Sequence, residues 1–128
     1  MLDLFSGTGN ISLEFASRGS ENITAIDQNL HCCNFISKIA KQLSYNIDIS
    51  KMDCLDFLEK TKSDFDIIFA DPPYNFEHYH NLKDNIFSNN LVRKDGGLII
   101  EHDSSTNFYE ENVELRKYGS VHFSIFTN

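Results

Sequence analysis

A carboxylate, two prolines and a tyrosine follow one another at Asp71-Pro72-Pro73-Tyr74, directly behind the apolar run Phe65-Asp66-Ile67-Ile68-Phe69-Ala70. That run reads as a buried strand, and the tetrapeptide is poor material for continuing it. Each proline lacks an N–H and fixes φ. The residue before a proline is pushed into extended backbone. A stiff loop results, with carbonyls to offer, a carboxylate on one side and an aromatic face on the other. Such a set can grip a planar ring that bears an amine. An ordinary strand-to-turn exit would use the same residues, since Asp-Pro commonly opens a turn. The rest of the chain has to decide between the two.

A second group of residues sits in the first loop, Asp3-Leu4-Phe5-Ser6-Gly7-Thr8-Gly9-Asn10. Gly7 and Gly9 let the backbone turn sharply and approach a ligand closely. The third glycine of a full G-x-G-x-x-G fingerprint is replaced by Ser12, and no P-loop lysine is present. Asp27 lies 20 residues after Gly7, a distance at which an acid can accept hydrogen bonds from both ribose hydroxyls of a nucleoside. Asp3 stands at the start of the loop, where a carboxylate can face a cationic amino group. Asp53 follows the third strand-like run, where it can meet an adenine edge or simply cap the next helix. Acids without a basic pocket suit a nucleoside that carries positive charge and no phosphates, and S-adenosylmethionine is such a molecule.

These residues must be positioned by elements, and the alternation of apolar runs supplies them. Strands are expected at Met1–Phe5, Asn22–Ile26, Ile47–Lys51, Asp66–Ala70 and Leu98–Glu101, and helices at Asn10–Arg18, Asn29–Leu43, Cys54–Lys62 and Tyr79–Phe87. Alternating strands and amphipathic helices signal a parallel α/β sheet. Gly19 is placed to stop the first helix. Arg93-Lys94-Asp95-Gly96-Gly97 reads as a polar turn before the fifth strand. Val113–Tyr118 and Ser120–Phe126 read as two further strands joined at Gly119. Their joint is too short for a crossover, so the pair must be antiparallel. Asp3, Gly7, Asp27, Asp53 and Asp71 all fall at carboxyl ends of the parallel strands, where open α/β sheets bind ligands.

Length and composition bound the answer. The 128 residues suit one domain, expected to span 1–128. With 11 basic against 19 acidic residues the net charge is −8, which argues against unaided binding to a phosphate backbone. Cys32, Cys33 and Cys54 form no C-x-x-C, and an odd count does not suggest a disulfide framework. No apolar run is long enough to span a membrane and no signal peptide is visible, so a cytoplasmic location is expected. Met1 is followed at once by strand-like residues, so an N-terminal segment preceding this chain is expected. His78-Tyr79-His80 offers two histidines that do not share a helix face, and no metal is expected; these residues and Asn75 read as a substrate-side wall beside Tyr74. His102-Asp103 reads as a solvated loop, and Phe108 and Tyr109 as packing under the hairpin.

In these landmarks the chain resembles the class I S-adenosylmethionine-dependent methyltransferases over nearly its full length. Leu2-Asp3-Leu4-Phe5-Ser6-Gly7-Thr8-Gly9 looks like their first motif, Asp27 like the ribose acid and Asp53 like the adenine-side acid. Asp71-Pro72-Pro73-Tyr74 looks like the motif of amino-group methylators. Gly96-Gly97-Leu98-Ile99-Ile100-Glu101 looks like their fifth strand and Tyr118-Gly119 like the closing hairpin. Leu2–Gly19, ending in Ser17-Arg18-Gly19, is most similar to the 16S rRNA (guanine(966)-N2)-methyltransferase family. The resemblance implies a Rossmann-like α/β fold with helices on both faces and a mostly parallel sheet of order 3-2-1-4-5-7-6, strand 7 antiparallel. It implies S-adenosylmethionine as cofactor, held by Asp3, Phe5, Ser6, Gly7, Thr8, Gly9, Asp27, Gln28, Asp53, Cys54 and Asp71. It implies catalysis by Asp71, Pro72, Pro73 and Tyr74 on the exocyclic amine of a guanine in small-subunit ribosomal RNA, within an assembling subunit and by a monomer. The same tetrapeptide chemistry also serves N6-adenine and glutamine-amide methylation. A non-catalytic binding module of the same fold is the reading from another class.

Overall fold

Strands and helices alternate along the chain much as the apolar runs predict. The computed structural model describes residues 1–128, which divide into two units, Met1–Lys60 and Thr61–Asn128.

The first unit holds β1 (Leu2–Asp3), α1 (Asn10–Ser17), β2 (Ile23–Asp27), α2 (Leu30–Leu43), β3 (Ile47–Lys51) and α3 (Cys54–Lys60). β1 and β3 both pair in parallel with β2, through Leu2↔Thr24 and through Ile23↔Ile47 to Asp27↔Lys51. Leu2, Leu4, Ile23, Ile26, Ile36 and Leu58 are fully buried and form its core. α2 buries Cys33, Ile36 and Ala40, three positions at helical spacing on one face. Asn29 caps it by accepting from the Cys32 N–H at 3.1 Å. Gly19 ends α1 as expected, at φ +97° with its N–H on the Ala16 carbonyl.

Two bounds in this unit differ from expectation by two residues, and several others by one. β1 stops at Asp3 because the chain bends away into the glycine loop, and the Ser6 N–H already reaches the Ile26 carbonyl at 2.9 Å. α3 stops at Lys60, two residues early. There the Thr61 hydroxyl oxygen accepts from the Ser63 N–H at 3.3 Å, a local bond that competes with another helical turn.

The second unit holds β4 (Phe65–Ala70), α4 (Tyr79–Ser88), β5 (Val92–His102), β6 (Val113–Tyr118) and β7 (Val121–Thr127). β4 and β5 are parallel, while β7 lies antiparallel to both β5 and β6. Ile68, Leu82, Ile86, Leu98 and Ile100 are fully buried here, and Phe87 of α4 meets Phe126 of β7 with ring centroids 6.1 Å apart. The strand order β3-β2-β1-β4-β5-β7-β6 is the expected one.

The polar turn expected at Arg93–Gly97 is overturned, because these residues belong to β5. Phe65 pairs with Val92, and the register then jumps to Ile67↔Gly97, so the polar residues form a bulge. Asp95 takes the strain at φ +65°. Gly96 is required because a Cβ there would lie 2.5 Å from the Asp66 carbonyl oxygen. Arg93 then reaches Asp64 at 2.8 Å and Asp66 at 3.0 Å.

Candidate active site

The glycine loop is tied to Asp27 by backbone donors. The Gly7 N–H donates to one carboxylate oxygen of Asp27 and the Asn29 N–H to the other, both at 2.8 Å. Each oxygen keeps a second lone-pair direction, so the carboxylate can still accept from a pair of hydroxyls. Gly9 is buried at φ +90°, and a Cβ there would meet Ile36 Cγ1 at 2.7 Å; the loop can lie this close to α2 only as glycine. A Cβ on Gly7 would meet nothing within 4 Å, so its outer side is open. Ser6 Oγ is buried without a hydrogen bond.

Ser12, the departure from the glycine fingerprint, has a local reason. It is fully buried, and its hydroxyl donates to Asp3 Oδ2 at 2.7 Å. A glycine there could not fill that role. Asp3 is itself 1% exposed, so the serine holds a buried carboxylate at the root of the loop.

Asp53 does both things its position allowed. One oxygen caps α3 by accepting from the Leu55 and Asp56 N–H groups at 2.9 and 3.2 Å, and the other accepts from Gln28 Nε2 at 2.6 Å. The Met52 N–H donates to the Asp27 carbonyl at 3.0 Å. Asp27, Gln28 and Asp53 are thereby brought together at the carboxyl ends of β2 and β3, with the glycine loop against them. Thr8 is exposed and Phe5 half-buried. Cys54 is buried, and burial first and the Asp53 charge second push its thiol up to about 12. It stays protonated and is no nucleophile.

In the second unit Asp71 follows β4 directly. Pro72 is buried, Pro73 exposed, and the Pro73 carbonyl accepts from the Phe76 N–H at 2.9 Å. This bond closes the turn and leaves the Pro72 carbonyl out of it. Tyr74 is 96% exposed, an aromatic face that the fold does not use.

Sequence reasoning missed the partner of Asp71. Parallel pairing of Ala70 with Ile100 sets Asp71 and Glu101 side by side at the tips of neighbouring strands, and their side chains hydrogen-bond to each other. Both carboxyls sit above the usual carboxylate range. For Asp71 the cause is burial, which the hydrogen bond from Glu101 partly offsets. For Glu101 it is burial first, then the Asp71 charge and the same hydrogen bond. Asp71 is exposed as a residue, but its carboxyl is half enclosed, and that loss of water sets the direction. When the pair holds one proton, Glu101 is therefore the donor and Asp71 the acceptor. One signal was available in the sequence, namely an acid at the equivalent tip of each of two adjacent parallel strands.

Tyr79 stands beside this pair. Its hydroxyl is pushed up by burial first and then by the charges of Asp103, Asp71 and Glu101, and its ring meets Phe76 and His102 with centroids 5.1 and 6.3 Å apart. His102 corrects the solvated-loop reading, because it is the last residue of β5 and only 6% exposed. Its Nδ1 lies 2.8 Å from the Asp103 carbonyl and its Nε2 2.7 Å from Ser124 Oγ. A carbonyl only accepts, so Nδ1 carries a hydrogen and donates to it. Phe108 packs as expected, with its ring 5.1 Å from Phe126. Tyr109 does not, being 91% exposed, because the buried neighbour Phe108 turns the next side chain outward. No group of three or more His, Cys, Asp or Glu side chains is gathered around a common point; His80 lies against Phe108 at 4.9 Å instead.

A protein-family model described as conserved hypothetical protein 95 matches residues 1–127. The chain belongs to this family. A relative, ribosomal RNA small subunit methyltransferase D of Buchnera aphidicola subsp. Baizongia pistaciae, is 28% identical over 134 residues, covering 99% of this chain and 68% of that protein. The chain thus spans about two thirds of this relative's length. A solved structure titled conserved hypothetical protein, from Streptococcus pyogenes, superposes with a TM-score of 0.89 at 22% identity, covering 99% of this chain and 84% of that one. The 16S rRNA N2 G1207 methyltransferase of Thermus thermophilus, solved with AdoMet and guanosine, superposes at 0.75 and 17% identity, covering 98% of this chain and 36% of that one. At such identities the solved structures speak for the fold, which is the Rossmann-like methyltransferase fold that the family member was expected to have.

Proposed function

We propose that this chain is an S-adenosylmethionine-dependent methyltransferase acting on the exocyclic N2 amine of a guanine in small-subunit ribosomal RNA, in the cytoplasm and within an assembling subunit. The observation that carries the reading is the hydrogen-bonded pair Asp71–Glu101 behind a closed proline turn, with Tyr74 standing free in front of it. The names of the relative and of the structural neighbour point the same way.

The first unit fits the cofactor. Asp27 retains acceptor directions for ribose hydroxyls, Gly7 leaves open space on its outer side, and Ser6 offers a buried hydroxyl without a partner. Gln28 and Asp53, already bonded to each other, would meet the adenine side. The bound cofactor would supply an electrophilic methyl group on a sulfonium.

The second unit handles the amine. An exocyclic guanine nitrogen is a poor nucleophile because its lone pair is delocalised into the ring. Asp71 and the Pro72 carbonyl accept its two N–H bonds, which holds the nitrogen nearer tetrahedral and aims the lone pair. Tyr74 stacks on the base, a contact worth about 1–3 kcal/mol. As the nitrogen gains its methyl group it sheds one proton, and Asp71 is the acceptor in reach, with Glu101 bonded behind it. Positioning supplies most of the acceleration, and the base must be splayed out of its stack to be reached.

Methyl incorporation into small-subunit ribosomal RNA, with nucleoside analysis after digestion, tests the proposal. Asp71→Ala is expected to lower kcat by on the order of 10²-fold or more. Undiminished turnover removes Asp71 from the chemistry. N6-methyladenosine as the product reassigns the base.

A further inference from the structure

A cleft of about 320 Å³ lies beside the proline turn, within the range of about 300–1,000 Å³ usual for small-ligand sites. Glu77, Tyr79 and His80 line one wall, and Ser105, Asn107 and Tyr109 the other. These walls are the segments that follow β4 and β5, at the ligand-binding end of parallel strands.

The Tyr109 wall is held from several sides although its tip is open. Phe108 is buried against His80, Phe126 and His102, with centroids 4.9, 5.1 and 5.6 Å away. Lys83 of α4 forms ion pairs with Glu110 and Asp84. Asp103 accepts from the Ser105 N–H at 2.8 Å. Between these anchors Tyr109 presents a ring that is 91% exposed and that the fold does not need. With its neighbours anchored, the backbone that carries the ring has little entropy left to lose, and only the rotamers of Tyr109 itself have to be ordered on stacking.

The charge around the cleft selects the ligand class. Glu77 lines it and no lysine or arginine does, while Lys83 of α4 is already paired with Asp84 and Glu110. A phosphate would be repelled. A neutral planar ring would be welcome, stacking on Tyr109 and bonding its N–H and acceptor edges to Glu77, Asn107 and Ser105. Tyr79 lines this cleft and also feels the charges of Asp71 and Glu101, so the cleft opens next to the amine clamp.

We propose that this cleft holds the unpaired nucleobase adjacent to the target guanine, stacked on Tyr109, and so selects for single-stranded RNA by base rather than by backbone. The inference rests on the methyl-transfer reading above.

The test is fluorescence anisotropy of a labelled single-stranded RNA nonamer with one central guanine and pyrimidines elsewhere, beside two versions abasic on either side of the guanine. Stacking of about 1–3 kcal/mol corresponds to roughly 5–150-fold in affinity. Tyr109→Ala is expected to weaken binding of the intact nonamer by that factor, and Tyr109→Phe, which keeps the ring, to hold it within about twofold. One of the abasic RNAs should bind wild type and Tyr109→Ala equally. Circular dichroism of Tyr109→Ala, a change at an exposed site, should match wild type. Equal affinity of wild type and Tyr109→Ala for the intact nonamer overturns the cleft and leaves the methyl-transfer reading standing. A Tyr109→Ala loss that persists with both abasic RNAs does the same. Wild-type protein that binds none of the RNAs overturns the cleft, and methyl incorporation into small-subunit ribosomal RNA then decides the methyl-transfer reading separately.

Discussion

Replacing Glu101 tests the carboxyl pair directly, and two substitutions separate its donor from its charge. When the wild-type pair holds one proton, Glu101 donates it to Asp71, and this bond lowers Asp71 against the burial that raises it. Glu101→Gln keeps an N–H donor in place and cannot become an anion. Glu101→Ala removes the donor and leaves the burial. A hydrogen bond to a charged group contributes about 1.5–3 kcal/mol. Asp71 keeps water on one side, so about 1–2 kcal/mol is the appropriate range, or roughly 5–30-fold. Glu101→Ala is therefore expected to lower kcat about 5–30-fold at neutral pH. Glu101→Gln should stay within a few-fold.

The pH profile separates these effects from simple damage. Asp71 must be ionised to accept, so the rate falls as pH drops through the lower step of the pair. Loss of the Glu101 donor leaves burial unopposed, so in Glu101→Ala this acid limb moves to higher pH. In Glu101→Gln the limb stays and the upper of the pair's two steps disappears, because only one carboxyl is left to titrate. Stability changes in the matching sense. Carboxyls raised in the folded state contribute stability below their unfolded values of about 4, and that contribution is lost as pH rises through the folded ones. Glu101→Gln should thus gain in Tm over wild type as pH rises from about 4 toward neutrality. An acid limb in Glu101→Ala at or below the wild-type position refutes the reasoning, and so does a Glu101→Gln as impaired as Glu101→Ala.

Two further substitutions probe the frame around the site. Gly96→Ala places a Cβ 2.5 Å from the Asp66 carbonyl oxygen and 2.9 Å from that of Arg93. Both are backbone atoms that cannot swing aside, so a loss of about 1–3 kcal/mol or more is expected in urea denaturation; wild-type stability would show that the bulge is not as tight as described. Ser12→Ala removes the donor to a buried oxygen of Asp3, and should lower stability by about 1–3 kcal/mol; a neutral result would mean that Asp3 does not depend on this hydroxyl.

The parallel strands and their helices were legible because each carries a period that one face of packing enforces. Ile36 and Ala40 on α2, or Ile68 and Ala70 on β4, report burial through spacing alone. The acids at the strand tips were legible for the same reason, since their places follow from the strands. What was not legible depended on register. Arg93-Lys94-Asp95-Gly96 has the letters of a turn, and only the jump from Phe65↔Val92 to Ile67↔Gly97 makes it a bulged strand. Glu101 looked like the end of a strand until the pairing of Ala70 with Ile100 set it beside Asp71. His102 looked like loop because a histidine after a strand has no period to obey, and its burial follows from facing Ser124 and His122 across an antiparallel pair.

The acids of this chain do two different jobs, and neighbours rather than residue type assign them. Asp27 accepts from two backbone N–H groups, and Asp53 from two N–H groups and an amide. These carboxylates are oriented by donors that never titrate, as a fixed acceptor for a neutral hydroxyl or amine should be. Asp71 and Glu101 have each other instead. Burial and the second carboxyl raise the proton affinity of this pair above the ordinary carboxylate range, the direction that a proton acceptor in catalysis needs. The net charge of −8 speaks against grip on a phosphate backbone. An enzyme built this way would find its RNA through exposed rings such as Tyr74 and Tyr109, and its binding should weaken less steeply with added salt than that of a protein relying on lysines and arginines.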